Sequence, residues 1–147
     1  MISAGEGNAQ PTNVRRLQPL RVLLAGRDAR FLRVTSFLLS RRGYAVTSAS
    51  LADAFAAAER QRPDVVLVEL DGSRVEAGRT VAALQASAAA PALILLTADG
   101  AKNGWKGLPT LDKWIPIEKL SAEIESAALH RLPPTAPAIA EGETTSL

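Results

Sequence analysis

Short, nearly continuous apolar runs alternate with stretches of helical period through the middle of this chain. Leu20 to Ala25 (LRVLLA) predicts a buried strand. Asp28 is placed to cap the following helix, which runs to Arg42 and stops at Gly43. Tyr44 to Thr47 predicts a second strand. Ser50, with Asp53 three residues on, opens a helix in the manner of a capping box, and that helix ends near Gln61, ahead of Pro63. Asp64 to Leu70 (DVVLVEL) is a more apolar strand, followed by a turn at Asp71-Gly72-Ser73 and a helix over Val75 to Ala88. Pro91 to Thr97 (PALILLT) is a fourth strand, Thr110 to Trp114 a short fifth, and Glu118 to Leu132 a final amphipathic helix. Strands this apolar, set between helices, predict a three-layer α/β fold with a parallel sheet covered on both faces. In such sheets chemistry collects at the carboxyl ends of the strands.

The ends of the chain carry no such period. Residues 1–18 and 133–147 are rich in Pro, Gly, Thr and other breakers, and are expected to be disordered tails around a single domain at residues 19–132. With 147 residues there is little room for a second domain. No apolar run approaches the ~20 residues needed to span a bilayer, and the N-terminal stretch has no apolar signal region, so a cytoplasmic protein without membrane contact is expected.

Composition removes several chemistries. There is no cysteine and one histidine, His130, so thiol catalysis, disulfides and multi-histidine metal sites are excluded. His130 falls near the end of the last helix and reads as a solvated, dipole-compensating residue. Net charge is +2, too balanced to argue for a nucleic-acid partner, even with a pI near 9.4. The segment after the first strand, AGRDARF, is neither a dinucleotide fingerprint nor a phosphate loop, and there is no GxSxG elbow. No helix-turn-helix pattern follows the core.

The runs RVLLAGRDARFLRVTSFLLSRRGYAV, RPDVVLVEL, LILLTA and KWIPIEKL occur in an order and spacing that resemble the receiver domain of two-component response regulators, over roughly residues 19–131. The resemblance implies a five-stranded parallel sheet of flavodoxin-like order 2-1-3-4-5. It also implies a site made of two acidic residues that help hold Mg²⁺, an Asp that accepts a phosphoryl group, and a Thr or Ser and a Lys that contact the phosphoryl oxygens. Aligned without gaps, the acidic pair falls on Gly26 and Arg27, the acceptor on Glu69, the hydroxyl on Thr97 and the lysine on Lys113; the aromatic switch position falls on Thr110. Asp28 and Asp71 are nearby acids, Asp28 being expected to cap its helix.

Gly26 offers no ligand and Arg27 brings a cation where Mg²⁺ would sit, so no metal or other cofactor is expected. Glu69 is one methylene longer than Asp, and phosphoryl transfer depends on close positioning. Two readings of the altered pocket stand side by side. In one, Arg27 and Glu69 form a salt bridge in a retired site. In the other, Glu69 engages Lys113 and Thr97 and partly imitates a phosphorylated state, although the missing aromatic at Thr110 counts against this. The resemblance then implies a non-enzymatic module that binds a histidine kinase, another regulator or an output protein, with a homodimer also open. The alternatives are a receiver still phosphorylated through unusual ligands, such as Asp71, and a small-anion sensor using an Arg27/Lys113 pocket.

The stretch from Thr97 to Lys113 is shorter than is usual in the family, so the family's fourth helix is expected to be shortened or lost. Trp105 in that stretch, Trp114 after Lys113, and Phe37 (with Leu32, among Arg30, Arg33 and Arg41) are candidate partner contacts, or else local packing.

Overall fold

The computed structural model describes residues 18–72, 74–98 and 107–131. The elements run β1 (Arg21–Ala25), α1 (Ala29–Arg41), β2 (Ala45–Ala49), α2 (Ala54–Gln61), β3 (Val65–Glu69), α3 (Arg74–Gln85), β4 (Ala92–Thr97), β5 (Thr110–Asp112) and α4 (Ile117–His130). The strands form one sheet in the order β2-β1-β3-β4-β5, and every neighbouring pair is parallel.

The apolar pattern agrees with this order. All residues of β3 (VVLVE) are buried, as its central place requires, whereas β2 and β5 are largely half-buried or exposed and lie at the edges. Alternate residues of the inner strands feed two cores. Leu23, Val66, Val68 and Leu95 pack with α2 and α3 on one face. Val22, Leu24, Leu67 and Ile94 pack on the other with Phe31 and Leu39 of α1 and Leu120 and Ile124 of α4. The result is the expected three-layer α/β sandwich.

Element limits differ from expectation in places that have local causes. Strand β2 begins one residue later and runs two residues further than predicted, because Ala49 continues the ladder opposite Ala25. The Ser50 hydroxyl does accept the N–H of Asp53 at 3.1 Å, but α2 starts only at Ala54, after a turn. Strand β5 stops at Asp112, whose carboxylate accepts the Trp114 N–H at 2.8 Å and turns the chain. Gly43, at φ +95°, ends α1 as predicted.

Among the described residues two non-glycines adopt left-handed backbone, Arg62 (φ 53°) and Ala90 (φ 46°), and each is followed by a proline, Pro63 or Pro91, just before a central strand. A proline disfavours right-handed helix at the residue before it. Near this end of the sheet Arg131 donates to Asp64 Oδ1 at 2.8 Å and to the carbonyls of Ala90 and Ala89 at 3.1 Å each, tying the end of α4 to the entry of β3. The two tails, the expected loss of a helix between β4 and β5, and Trp105 lie outside the described residues. No described helix is long and apolar enough to cross a membrane.

Candidate functional site

The carboxyl ends of β1, β3, β4 and β5 meet at one place, and Lys113 is at its centre. Its backbone N–H donates to the Thr97 carbonyl at 3.0 Å, so the ladder continues one residue past β5. The side chain is buried, and its ammonium lies 2.5 Å from Glu69 Oε2, 3.2 Å from Asp28 Oδ2 and 3.2 Å from Asp71 Oδ2. Two rings complete the surround. The ammonium lies 5.1 Å from the centroid of Phe31 and 5.9 Å from that of Trp114, and the rings themselves pack edge to face at 5.4 Å. Burial by itself disfavours the ammonium. The hydrogen bonds to Glu69 and Asp28, the Glu69 charge and the bond to Asp71 outweigh it and hold Lys113 above the ordinary lysine value.

Glu69 is 1% exposed. Its Oε1 accepts the backbone N–H of Arg27 at 2.7 Å and of Asp28 at 3.0 Å, while Oε2 takes Lys113. Both oxygens are therefore used in charge-assisted bonds. Gly26 makes this possible. A Cβ there would stand 2.5 Å from Glu69 Oε1 and 2.8 Å from Glu69 Cβ. The register pairs Ala25 with Val68, so residue 26 lies beside residue 69, and the longer acid occupies space left by the glycine.

Asp28 serves two elements. Its Oδ1 accepts the N–H groups of Arg30 and Phe31, capping α1 as the sequence suggests, and Oδ2 reaches Lys113. The Phe31 N–H first, and then Lys113, hold its carboxyl below the usual range. Asp71 is bound from the opposite side. Its Oδ1 accepts the Thr97 hydroxyl at 3.0 Å, and the Ala98 N–H approaches its two oxygens at 3.2 and 3.1 Å.

Two expected contacts are thus replaced. The Arg27 side chain does not pair with Glu69; it turns outward, lies 3.7 Å from Glu76 and rests over Gly72, where a Cβ would meet Arg27 Cδ at 3.1 Å. Glu69 is held instead by the Arg27 backbone. Nor does Thr97 donate to Glu69; the hydroxyl goes to Asp71. Asp28 and Asp71, read from sequence only as nearby acids, are full members of the lysine's surround. Thr110 stands at the start of β5, opposite Leu95. Trp114 is 54% exposed although it covers Phe31, and Phe37, at 58%, lies on the outer side of α1 with the Arg41 guanidinium 5.8 Å from its ring. Leu32 packs against the α1/α4 core.

Mg²⁺ requires several hard oxygens in near-octahedral array. Here Gly26 supplies none, Arg27 has turned away, and the carboxylate oxygens of Glu69, Asp28 and Asp71 are engaged by Lys113 and by N–H and O–H donors. Among the described residues no group of three or more acids or histidines is arranged to hold a metal ion. The donor set does not fit this ion, because an ammonium occupies the space among the carboxylates.

No protein-family model and no curated protein matches the chain. Solved structures do. The chain is similar to a response regulator from Desulfuromonas acetoxidans (17% identity, 73% of this chain and 94% of that one, TM-score 0.63). It is also similar to a chemotaxis response regulator of Vibrio cholerae (19%, 75% and 99%, TM-score 0.66). A response regulator receiver domain from Methylobacillus flagellatus matches comparably (20%, 75% and 99%, TM-score 0.62). At these identities the likeness establishes the fold, which is the flavodoxin-like fold of receiver domains with sheet order 2-1-3-4-5.

Proposed function

We propose that this receiver-type domain is a protein-interaction module of bacterial two-component-type signalling that works without phosphorylation. It is not an enzyme, takes no cofactor and acts in the cytoplasm, on a histidine kinase, another regulator, an output protein or a second copy of itself. The observation that carries the reading is Glu69. At the position of the phosphoryl acceptor stands a buried carboxylate with both oxygens bonded, and its partner lysine is held by two further acids. Both oxygens are oriented by these bonds and shielded in the interior, and in-line transfer depends on an attacking oxygen free to align with the incoming phosphorus. Exposed Trp114 and Phe37, the latter on a helix whose Arg30, Arg33 and Arg41 face no acid of its own, support a protein contact.

The anion-sensor reading finds less support. Arg27 faces outward, and one ammonium among three carboxylates leaves the pocket formally negative. The test is incubation of the full chain with acetyl phosphate and Mg²⁺, read by intact mass, with amide NMR during addition of beryllofluoride. The expected result is no gain of a phosphoryl group and no movement of the Glu69, Thr97 and Lys113 signals. Stoichiometric phosphorylation, on Glu69 or on Asp71, would overturn the reading.

A further inference from the structure

A groove of about 560 Å³ crosses the amino-terminal ends of β4 and β5, at the opposite end of the strands from Lys113. Its lining is mostly apolar: Leu93 and Leu108, with Pro91 and Pro109, come from the two strand entries, Leu84 from α3 and Ala127 from α4. Its size lies in the range that bound ligands fill, roughly 300–1,000 Å³.

The chain leaves α4 at this groove. Arg131, the last described residue, lines it and is pinned there, since its guanidinium donates to Asp64 and to the carbonyls of Ala89 and Ala90. Its backbone, at φ −72° and ψ 138°, has already turned from helix to polyproline II geometry. The sequence that follows is Leu132-Pro133-Pro134-Thr135-Ala136-Pro137-Ala138-Ile139-Ala140, nine residues without a charge, ahead of Glu141. Pro133 disfavours helix at Leu132. The three prolines hold φ near the value Arg131 has adopted, which lowers the entropy lost on docking.

We propose that the groove is a docking site for the chain's own residues 132–140, which lie outside the described residues: an uncharged, proline-rich ligand carried in cis. Nine residues of polyproline II reach roughly 28 Å. That is enough to pass from α4 over two strand ends about 4.8 Å apart to α3. An apolar segment matches the lining, and a tether this short gives an effective concentration on the order of millimolar. Any foreign apolar ligand of this groove must compete with it. The groove and the Lys113 site lie at opposite ends of the strands, so the acetyl phosphate test has no bearing on the outcome.

The experiment uses amide NMR of the full chain and two variants. Ile139→Asp puts a charge into the segment; Thr145→Asp puts the same charge beyond it. Leu93 and Leu108 are the reporters, because they line the groove and are remote in sequence from both substitutions. Ile139→Asp is expected to shift both signals and Thr145→Asp to leave them. A synthetic peptide of residues 132–143, added to Ile139→Asp, should return them saturably with a Kd on the order of 0.1–1 mM, tight enough for the tethered segment to close the groove. The same peptide should leave wild type unchanged, and dilution of wild type should move nothing. Reporters unmoved by Ile139→Asp would overturn the proposal, as would equal shifts from Thr145→Asp or a peptide that fails to return them. Wild-type signals that move on dilution would assign the segment to a second copy's groove and overturn docking in cis.

Discussion

Placing a methyl group at position 26 tests the central geometry most directly. The Cβ of Gly26→Ala would stand 2.5 Å from Glu69 Oε1, 3.3 Å from Cδ and 2.8 Å from Cβ. The first two contacts could be relieved by swinging the carboxylate, but that would break its bonds to the Arg27 and Asp28 N–H groups and to Lys113. The third involves the root of the side chain and can be relieved only by moving backbone. Overpacking of a core typically costs about 1–3 kcal/mol, and separating a buried ion pair about 3–5 kcal/mol. Partial relaxation along both routes gives an expected loss of roughly 3 kcal/mol. For an m-value of about 1.5 kcal/mol/M this lowers the urea midpoint by roughly 2 M.

Glu69→Asp shortens the acid and removes the clash at its tip while leaving the one at Cβ, so it should rescue Gly26→Ala in part. The double-mutant cycle is expected to show a favourable coupling of about 1 kcal/mol or more. The reasoning is refuted if Gly26→Ala costs less than about 0.5 kcal/mol, the range of an ordinary surface change, or if the two substitutions simply add.

Other expectations concern charge and backbone. The contribution of Lys113 is complete below its ordinary value near 10.5 and is lost as pH rises through its raised value; that of Asp28 is present above 3.8 and is lost as pH falls through its lowered one. Urea midpoints against pH should therefore show a plateau that falls at both ends, and a continuous decline across neutral pH would contradict these assignments. Lys113→Met leaves three carboxylates facing one another, so it should be several kcal/mol less stable at neutral pH by about the buried-pair penalty and recover as pH falls toward 5, where wild type stays on its plateau. Ala90→Gly relieves left-handed backbone at φ 46° and should stabilise by about 0.5–1 kcal/mol, seen as a higher melting temperature; a lower one would show that the Ala90 conformation carries no strain.

The elements and layers were legible because near-continuous apolar runs mark buried parallel strands and Gly43 and Asp28 mark helix limits by their own chemistry, whereas the sheet order was implied by the family resemblance. The membership of the site was legible only in outline. Glu69 and Lys113 do meet, as strand-end positions imply. Arg27 was misjudged because its rotamer is set by Glu76 and by the open space above Gly72, on a loop and helix far along the chain. Thr97 was assigned the wrong acid for a related reason: the Arg27 and Asp28 N–H groups pin Glu69, and backbone donors leave no trace in residue types. One signal was available. Once β1 and β3 are aligned in parallel, Gly26 falls beside Glu69, and a missing side chain next to a lengthened one is a size complement that register alone would expose.

That complement constrains how the sequence can change. A side chain cannot be introduced at position 26 while Glu69 holds its place, and shortening Glu69 first empties the space without adding any group that uses it. The two positions must therefore change together, or by way of a destabilised intermediate. Single substitutions toward an acidic residue at position 26 are expected to be filtered out by folding before any effect on signalling is tested. Interlocked in this way, Gly26 and Glu69 act as a ratchet on the domain's mutational path.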